Sequence, residues 1–513
     1  MLFNSWEFLV LLLVTFVLYY APWSRGRHGK AWQVMLALVA SVIFYGWEDP
    51  KLIGLLAVSC VGNSIATGRI ILHKVAGDEA SVQHWTRLAV VMNLALLGVF
   101  KYLPFLAGMI PGLPAAWVDS LKAIPLPIGI SFYTFHGISM IVDVARGQVT
   151  REGDALMSKG SRFAKGVRDI GFYLLFFPQL VAGPIVKAKD FWPQIVSKRI
   201  EDIPWKLVIR TLITGYFLKM FVADNLSEQT ASLTLGAETL ATNSPLNLAP
   251  LLYCYSLQIF ADFAGYSLIA IGLAAMFGYK FPTNFNFPYL STSITEFWRR
   301  WHMSLSGWLR DYLYIPLGGN RKGPARTYVN LFLVMFLGGL WHGAEWKFAL
   351  WGSLHGLALA FERLCGSKFW ILNFKFWMKE PSGSAESASS SSPFNIHHPT
   401  FKISVTIVKW FLTFHIVTVL WLTFLMPDMT SIVAFFKGIF NGKTGFSGPP
   451  IFSLLFYGSM VVLYHAWGWI QEHRQHLASQ LARSPLEPIL HGLMLFLIIT
   501  NPGAPRGFIY FQF

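Results

Sequence analysis

Apolar runs of near-membrane length, broken by short polar stretches, dominate the pattern along this chain. The runs are continuous rather than alternating, which excludes the period-two strands of a membrane β-barrel. A helix needs about 20 apolar residues to cross the hydrocarbon core. Segments 8–20, 32–47, 52–72 and 88–100 come first, the last ending on Lys101-Tyr102, read as an interfacial anchor pair. Segment 8–20 has no basic stretch before it and no small-residue cleavage pattern after it, and Arg25, Arg27 and Lys30 follow. It therefore reads as an uncleaved helix with its N-terminus outside. Later candidates are 126–147, 173–189, 209–222, 251–277, 331–340, 411–425, 451–469 and 489–500. Together they predict an all-α polytopic integral membrane protein with about 11 transmembrane helices and some re-entrant pieces. The chain 1–513 reads as one membrane domain: N-terminal helices to 125, a motif-rich core over 126–365, a Ser-rich loop over 380–399, and C-terminal helices over 400–513.

Polar positions and breakers refine that pattern. Pro127 and Gly129 predict a broken entry into segment 126–147, and Pro178, Gly183 and Pro184 predict the same for 173–189. Such breaks are tolerated only where protein or water covers the backbone. Asn63 reads as a helix–helix hydrogen-bonding residue, and His136 as a structural histidine bonded to a neighbouring helix. Asp143 and Arg146, at i and i+3, read as a local pair. Gln258, Asp262 and Tyr266 recur at i, i+4 and i+8 and share one helix face. Such a stripe lines either a bundle interior or a water-filled path. The stretch 380–399 is too rich in Ser, Gly and Pro to bury a core, so it reads as a flexible loop, with His397 and His398 solvated.

Composition agrees with a membrane class: 54% of residues are hydrophobic, 13% are charged, and mean hydropathy is +0.48. The net charge of +15 is read as the excess of Lys and Arg in cytoplasmic loops, not as a nucleic-acid surface. Cys60, Cys254 and Cys365 have no paired spacing, so neither a disulfide framework nor a thiolate zinc site is expected.

The candidate chemistry gathers in residues 293–361, which begin SITEFWRRWHMSLSGWLRDYLYIPLGGNRKG. Glu296, Arg299, Arg300 and His302 lie within two helical turns, and an apolar helix after a Gly-rich loop ends on Trp341-His342-Gly343. Ionisable groups beside membrane-length segments are costly, and they usually mark function. The same charges would also form a cytoplasmic salt-bridge cluster, with His302 holding helices together.

Several blocks resemble one family, the membrane-bound O-acyltransferases, and within it the bacterial branch that acetylates alginate, peptidoglycan and other cell-surface glycans. They are LPIGISFYTFHGISMIVDVARG, FFPQLVAGPIVK, GYFLKMFVADNL, the long block through YSLQIFADFAGYS and WRRWHMSLS, LGGLWHGAEWKFALWGSLHG and the terminal FIYFQF. They run in order from Leu126 to the C-terminus. The resemblance implies a ring of tilted helices around a thinned centre, with a tunnel where a donor on one side meets an acceptor on the other. It implies that His342 and His302 are catalytic, with no bound cofactor and acetyl-coenzyme A as the acyl-donor substrate; no metal is expected, because these histidines lack clustered carboxylate or thiolate ligands. It further implies a bacterial inner-membrane location, a periplasmic serine-hydrolase-like (SGNH) acetyltransferase partner and an extracytoplasmic glycan acceptor.

Acyl transfer from a thioester to a hydroxyl needs a base and stabilisation of an oxyanion. A neutral imidazole suits the first role, and an apolar channel disfavours its charged form. Gly343 is expected to leave room for substrate beside His342, with Trp341 at the channel wall. Arg299, Arg300, Arg310, Lys322 and the Gly318-Gly319-Asn320 turn suit coenzyme A phosphates. Glu296, Asp262 and Gln258 complete the candidate donor- and substrate-binding set, and His355 reads as supporting or structural. Two alternatives stand beside this one: a D-alanyl or peptidoglycan acyl-transfer subunit of the same superfamily, and a transporter whose path is lined by Gln258, Asp262, His302 and His342.

Overall fold

The structure, a computed structural model, describes all residues except 27, 150–160, 182, 235, 378–398 and 509–513, with side chains also left out at 161–163, 366–377 and 399–404. Among the described residues helix is the only extended regular element. Six helices are long and apolar enough to cross a membrane: Gly29–Gly46, Leu52–Val75, Glu79–Ala107, Pro245–Met276, Val405–Leu425 and Gly448–His473. Gln475–Leu481 and Leu486–Thr500, bent by 68°, give a seventh if taken as one broken span. The protein is a multi-pass membrane protein. Length and hydropathy do not give the expected count of about 11. Trp6–Tyr19, Ile130–Ala145 and Met429–Ile439 are apolar but shorter.

Two of the predicted breaks meet each other. Gly129 (φ +76) is the left-handed N-cap of Ile130–Ala145, and a Cβ there would lie 2.7 Å from the Leu180 carbonyl oxygen. Leu180 closes the one-turn helix Phe177–Leu180, after which Gly183–Lys187 carries no helix. Only glycine supplies both the positive φ and the clearance. The two irregular segments thus cover each other's backbone.

The helix expected over 88–100 begins earlier, at Glu79, where the Asp78 carboxylate accepts from Ser81 N at 3.0 Å. It continues through a π-helical turn, Gly98–Tyr102, to Ala107. That turn makes Lys101-Tyr102 something other than an interfacial anchor. Lys101 is 6% exposed and points into the protein. Asn63 behaves as expected, exchanging amide hydrogen bonds with Asn93 at 2.9 and 3.2 Å.

Two local expectations do not hold. His136 is fully buried against Tyr173, but neither ring nitrogen meets a hydrogen-bonding partner among the described residues. Asp143 and Arg146 do not pair. Asp143 accepts from Tyr312 Oη at 2.7 Å and Lys189 N at 3.1 Å, whereas Arg146 donates to the Asp311 carbonyl at 3.2 Å. Tertiary partners at that helix end displace the weak i,i+3 interaction, which is worth only about 0.2–0.5 kcal/mol.

One end of the bundle is basic. Lys74 donates to the Ala145 carbonyl at 2.5 Å, Lys187 pairs with Asp311 at 2.6 Å, and Arg146 and Arg310 adjoin the same aspartate. The Ile130–Ala145 helix has 16 residues and so spans ~24 Å between that end and Gly129.

Candidate active site

The Ile294–Arg300 helix is fixed at both ends. Ser293 Oγ accepts from Glu296 N at 3.0 Å, and Glu296 Oε2 accepts from Thr292 N at 2.8 Å and Thr292 Oγ1 at 2.9 Å. This variant of the capping box satisfies backbone donors reciprocally. Burial would raise the Glu296 carboxyl, but the hydrogen bonds from Thr292 and Arg300 outweigh it and hold the group below its usual value. Two further first-turn donors, Ile294 N and Thr295 N, meet Glu362 Oε2 at 2.7 and 3.1 Å. Arg300 at the other end lies between Glu296 (2.9 Å) and Glu472 (2.5 Å). Its guanidinium is therefore engaged by two carboxylates. Arg299 is exposed.

His302 follows at the N-cap of Met303–Leu309, with φ 44 and ψ 52. A left-handed histidine is uncommon. Here Met303 N donates to the Asn284 carbonyl at 2.8 Å, and the Asn284 side chain anchors the ring itself. Asn284 Oδ1 lies 3.1 Å from His302 Nδ1, and it accepts from Ser304 N at 3.3 Å and Ser304 Oγ at 2.8 Å. A backbone N–H can only donate, so the amide oxygen must face this cluster and Nδ1 must carry the hydrogen. Asn284 Nδ2, turned away, donates to Ser267 Oγ at 2.9 Å. Nε2 is left as the second ring nitrogen, and that atom has no partner among the described residues.

His342 ends the Pro324–His342 helix and is 4% exposed. The carbonyls that the helix leaves open there are met by the π-helical turn: Lys101 Nζ donates to Trp341 O at 2.5 Å and His342 O at 3.1 Å, and Tyr102 Oη donates to Leu340 O at 2.9 Å. A cation is favoured at a helix C-terminus. Gly343 does not leave space for substrate as expected. A Cβ there would lie 2.0 Å from the Phe348 ring, so that ring already fills the position. The open space lies on the other side. Lys101, residues 126–132, Val181, Trp341 and His342 line a cleft of ≈ 510 Å³, its open mouth included.

Trp341 joins the two histidines, its ring centroid lying 6.1 Å from His302 and 5.0 Å from His342. Phe135 stacks on the same indole at 5.2 Å and on Trp308 at 3.7 Å. His355 supports from behind: its Nδ1 accepts from Trp298 Nε1 at 3.3 Å, and its ring packs on Trp351, which in turn packs on His342. Gln258 and Asp262 lie elsewhere in the bundle. Gln258 accepts from Thr230 Oγ1 at 2.5 Å. Asp262 pairs with Lys219 at 2.8 Å, and Lys219 also pairs with Asp224 at 2.7 Å. Between the two readings of that stripe, its partners favour a bundle interior. Lys101, Ser131 and Asn284 escape sequence reasoning. Lys101 is the last residue but one of the π-helical turn, and only that turn's geometry shows that it faces inward.

A buried histidine, His342, lines a cleft inside a multi-pass helical bundle, with His302 across Trp341 from it. Comparison with known proteins gives the protein's kind. The model of the membrane-bound O-acyltransferase family matches residues 169–385. The chain is 39% identical over 383 residues to a probable alginate O-acetylase of Pseudomonas putida, covering 71% of each chain. It is 31% identical over 461 residues to a peptidoglycan O-acetyltransferase of Helicobacter pylori, covering 86% of this chain and 80% of that one. A teichoic acid D-alanyltransferase of Bacillus subtilis is 26% identical over 368 residues, 68% of this chain and 84% of its own. The chain belongs to the membrane-bound O-acyltransferase family, and it is an O-acyltransferase.

Proposed function

We propose that the protein passes an acetyl group from cytoplasmic acetyl-coenzyme A across a bacterial inner membrane for O-acetylation of an extracytoplasmic polysaccharide such as alginate. A periplasmic SGNH-type acetyltransferase receives the group, and the chain 1–513 acts as one membrane domain. His342 is the base that takes the acceptor's proton, and His302 Nε2 faces the thioester end of the path. The observation that carries this proposal is the place of His342. It is buried in the lining of a cleft whose other lining residues, 126–132, lead into the Ile130–Ala145 helix, whereas Arg146 and its basic neighbours lie at that helix's other end. Lys and Arg accumulate on the cytoplasmic side of membrane proteins, so the cleft opens on the opposite side. Acetylases of alginate and peptidoglycan among the relatives support the acceptor class.

Exposed Arg299 is the free guanidinium of the pair and the better partner for a coenzyme A phosphate, because Arg300 is held by Glu296 and Glu472. Trp341 forms the wall between donor and acceptor ends. The test is transfer in proteoliposomes with labelled acetyl-coenzyme A on the cytoplasmic face. Wild type turns the thioester over, and His342→Ala, monodisperse and folded, loses at least about 10²-fold, the scale of a lost general base. Equal turnover by both proteins would remove His342 from catalysis. Turnover only with a D-alanyl carrier would place the chain with the teichoic acid relatives.

A further inference from the structure

Lys101 and Ser131 line the cleft together with His342, and their geometry has a direction. Lys101 Nζ reaches three oxygens, as many as an ammonium has protons: Trp341 O at 2.5 Å, His342 O at 3.1 Å and Ser131 Oγ at 3.3 Å. Two of the three are the terminal carbonyls of the helix that presents His342, where a cation is the favoured partner. The third interaction makes the serine oxygen an acceptor. A hydroxyl oxygen that accepts still has its own hydrogen to donate, and among the described residues the Ser131 hydroxyl meets no acceptor. Ser131 is 9% exposed and lines the cleft together with His342.

We propose that Ser131 is the oxyanion donor of the acyl-transfer centre and that Lys101 is the positioning residue that polarises it and fixes the His342 turn. The role rests on His342 being the base proposed above. In the step, the acceptor hydroxyl's oxygen forms the new C–O bond while its proton passes to the His342 imidazole. The carbonyl π pair moves onto oxygen, which Ser131 Oγ–H stabilises. Collapse expels the thiolate, and the imidazolium returns the proton to it, so that thioester plus alcohol gives ester plus thiol. Preorganised donors aimed at developing charge act strongly where water is excluded. Lys101 keeps its hydrogen bonds to the helix carbonyls throughout.

The test uses the full-length protein in detergent with acetyl-coenzyme A, reading kcat and KM separately together with thermal unfolding. Ser131→Ala keeps the wild-type midpoint and a donor KM within about twofold, and loses about 10²-fold in kcat, the usual scale for one lost oxyanion donor. Ser131→Thr, which keeps the hydroxyl, recovers part of that loss. Lys101→Met lowers kcat and also the unfolding midpoint, since it strips buried carbonyls of their partner, and Lys101→Arg restores more of kcat than Met allows. Wild-type kcat in Ser131→Ala overturns the proposal. So does an acetyl group found on Ser131 by peptide mass spectrometry, which would make it a nucleophile. His342→Ala separates the two levels: if it is inactive while Ser131→Ala is fully active, only the oxyanion role falls. If His342→Ala keeps full turnover, the base assignment falls and the oxyanion role with it.

Discussion

Three donors converge on the carboxamide oxygen of Asn284, and this small cluster decides which nitrogen of His302 is engaged. Replacing Asn284 with Leu would strand His302 Nδ1 and the two Ser304 donors in a buried site. Each unsatisfied group costs about 1–3 kcal/mol, so thermal unfolding of the detergent-solubilised protein should show a clear drop in midpoint. His302→Asn is the complementary probe. Asparagine tolerates the left-handed backbone better than most residues, and its amide can still donate from the Nδ1 position, but it has no counterpart of Nε2. It should fold like wild type and lose about 10²-fold in thioester turnover if Nε2 takes part in proton transfer. Undiminished turnover would make His302 a purely structural residue. The sequence pointed to His302 through its charged neighbours. Asn284, 18 residues upstream in an aromatic run, carried no such signal, because only the left-handed turn at His302 brings the two together.

The helix that carries His342 is held against Trp346–Trp377 by close backbone approach. A Cβ on Gly339 would lie 2.3 Å from the Phe348 carbonyl oxygen, and one on Gly352 would lie 2.3 Å from that of Met335. Small residues let membrane helices pack on backbone. Gly339→Val should therefore give aggregated or inactive protein by size exclusion, whereas Gly54→Ala, where a Cβ meets nothing within 4 Å, should behave as wild type. A second element-scale constraint is the ion cluster of Lys219, Asp224 and Asp262, whose side chains are 6%, 2% and 5% exposed. Removing the cation takes a shared charge partner from two buried carboxylates, and breaking a buried pair costs roughly 3–5 kcal/mol. Lys219→Met should reduce folded yield sharply. Normal folding with impaired donor binding would instead favour the water-path reading of Asp262. Helical spacing revealed the polar stripe on Pro245–Met276. It could not reveal the lysine opposite, 43 residues earlier on another segment.

Across the whole molecule, the basic face and the cleft mouth define two sides. Lys280 and Lys122 are both exposed, Lys280 beyond the end of Pro245–Met276 and Lys122 in the stretch that leads to the cleft. In intact vesicles of cytoplasm-inside orientation, a membrane-impermeant maleimide should label Lys122→Cys and spare Lys280→Cys. The reverse pattern would invert the proposed direction of transfer. Apolar run length and low charge were enough for the sequence to determine a polytopic helical membrane protein, because a chain in lipid must satisfy its backbone internally. Its ordered motif blocks were enough for the family, and they singled out His342 and His302 as candidates. Span boundaries were less legible: a π-helical turn extended one helix, and proline breaks left others short. Tertiary structure alone decided that Lys101 turns inward, that Phe348 fills the space beside Gly343, and that Arg300 is engaged while Arg299 is exposed. These depend on which groups meet across helices distant in sequence, and a linear pattern of polarity records only that each group is polar.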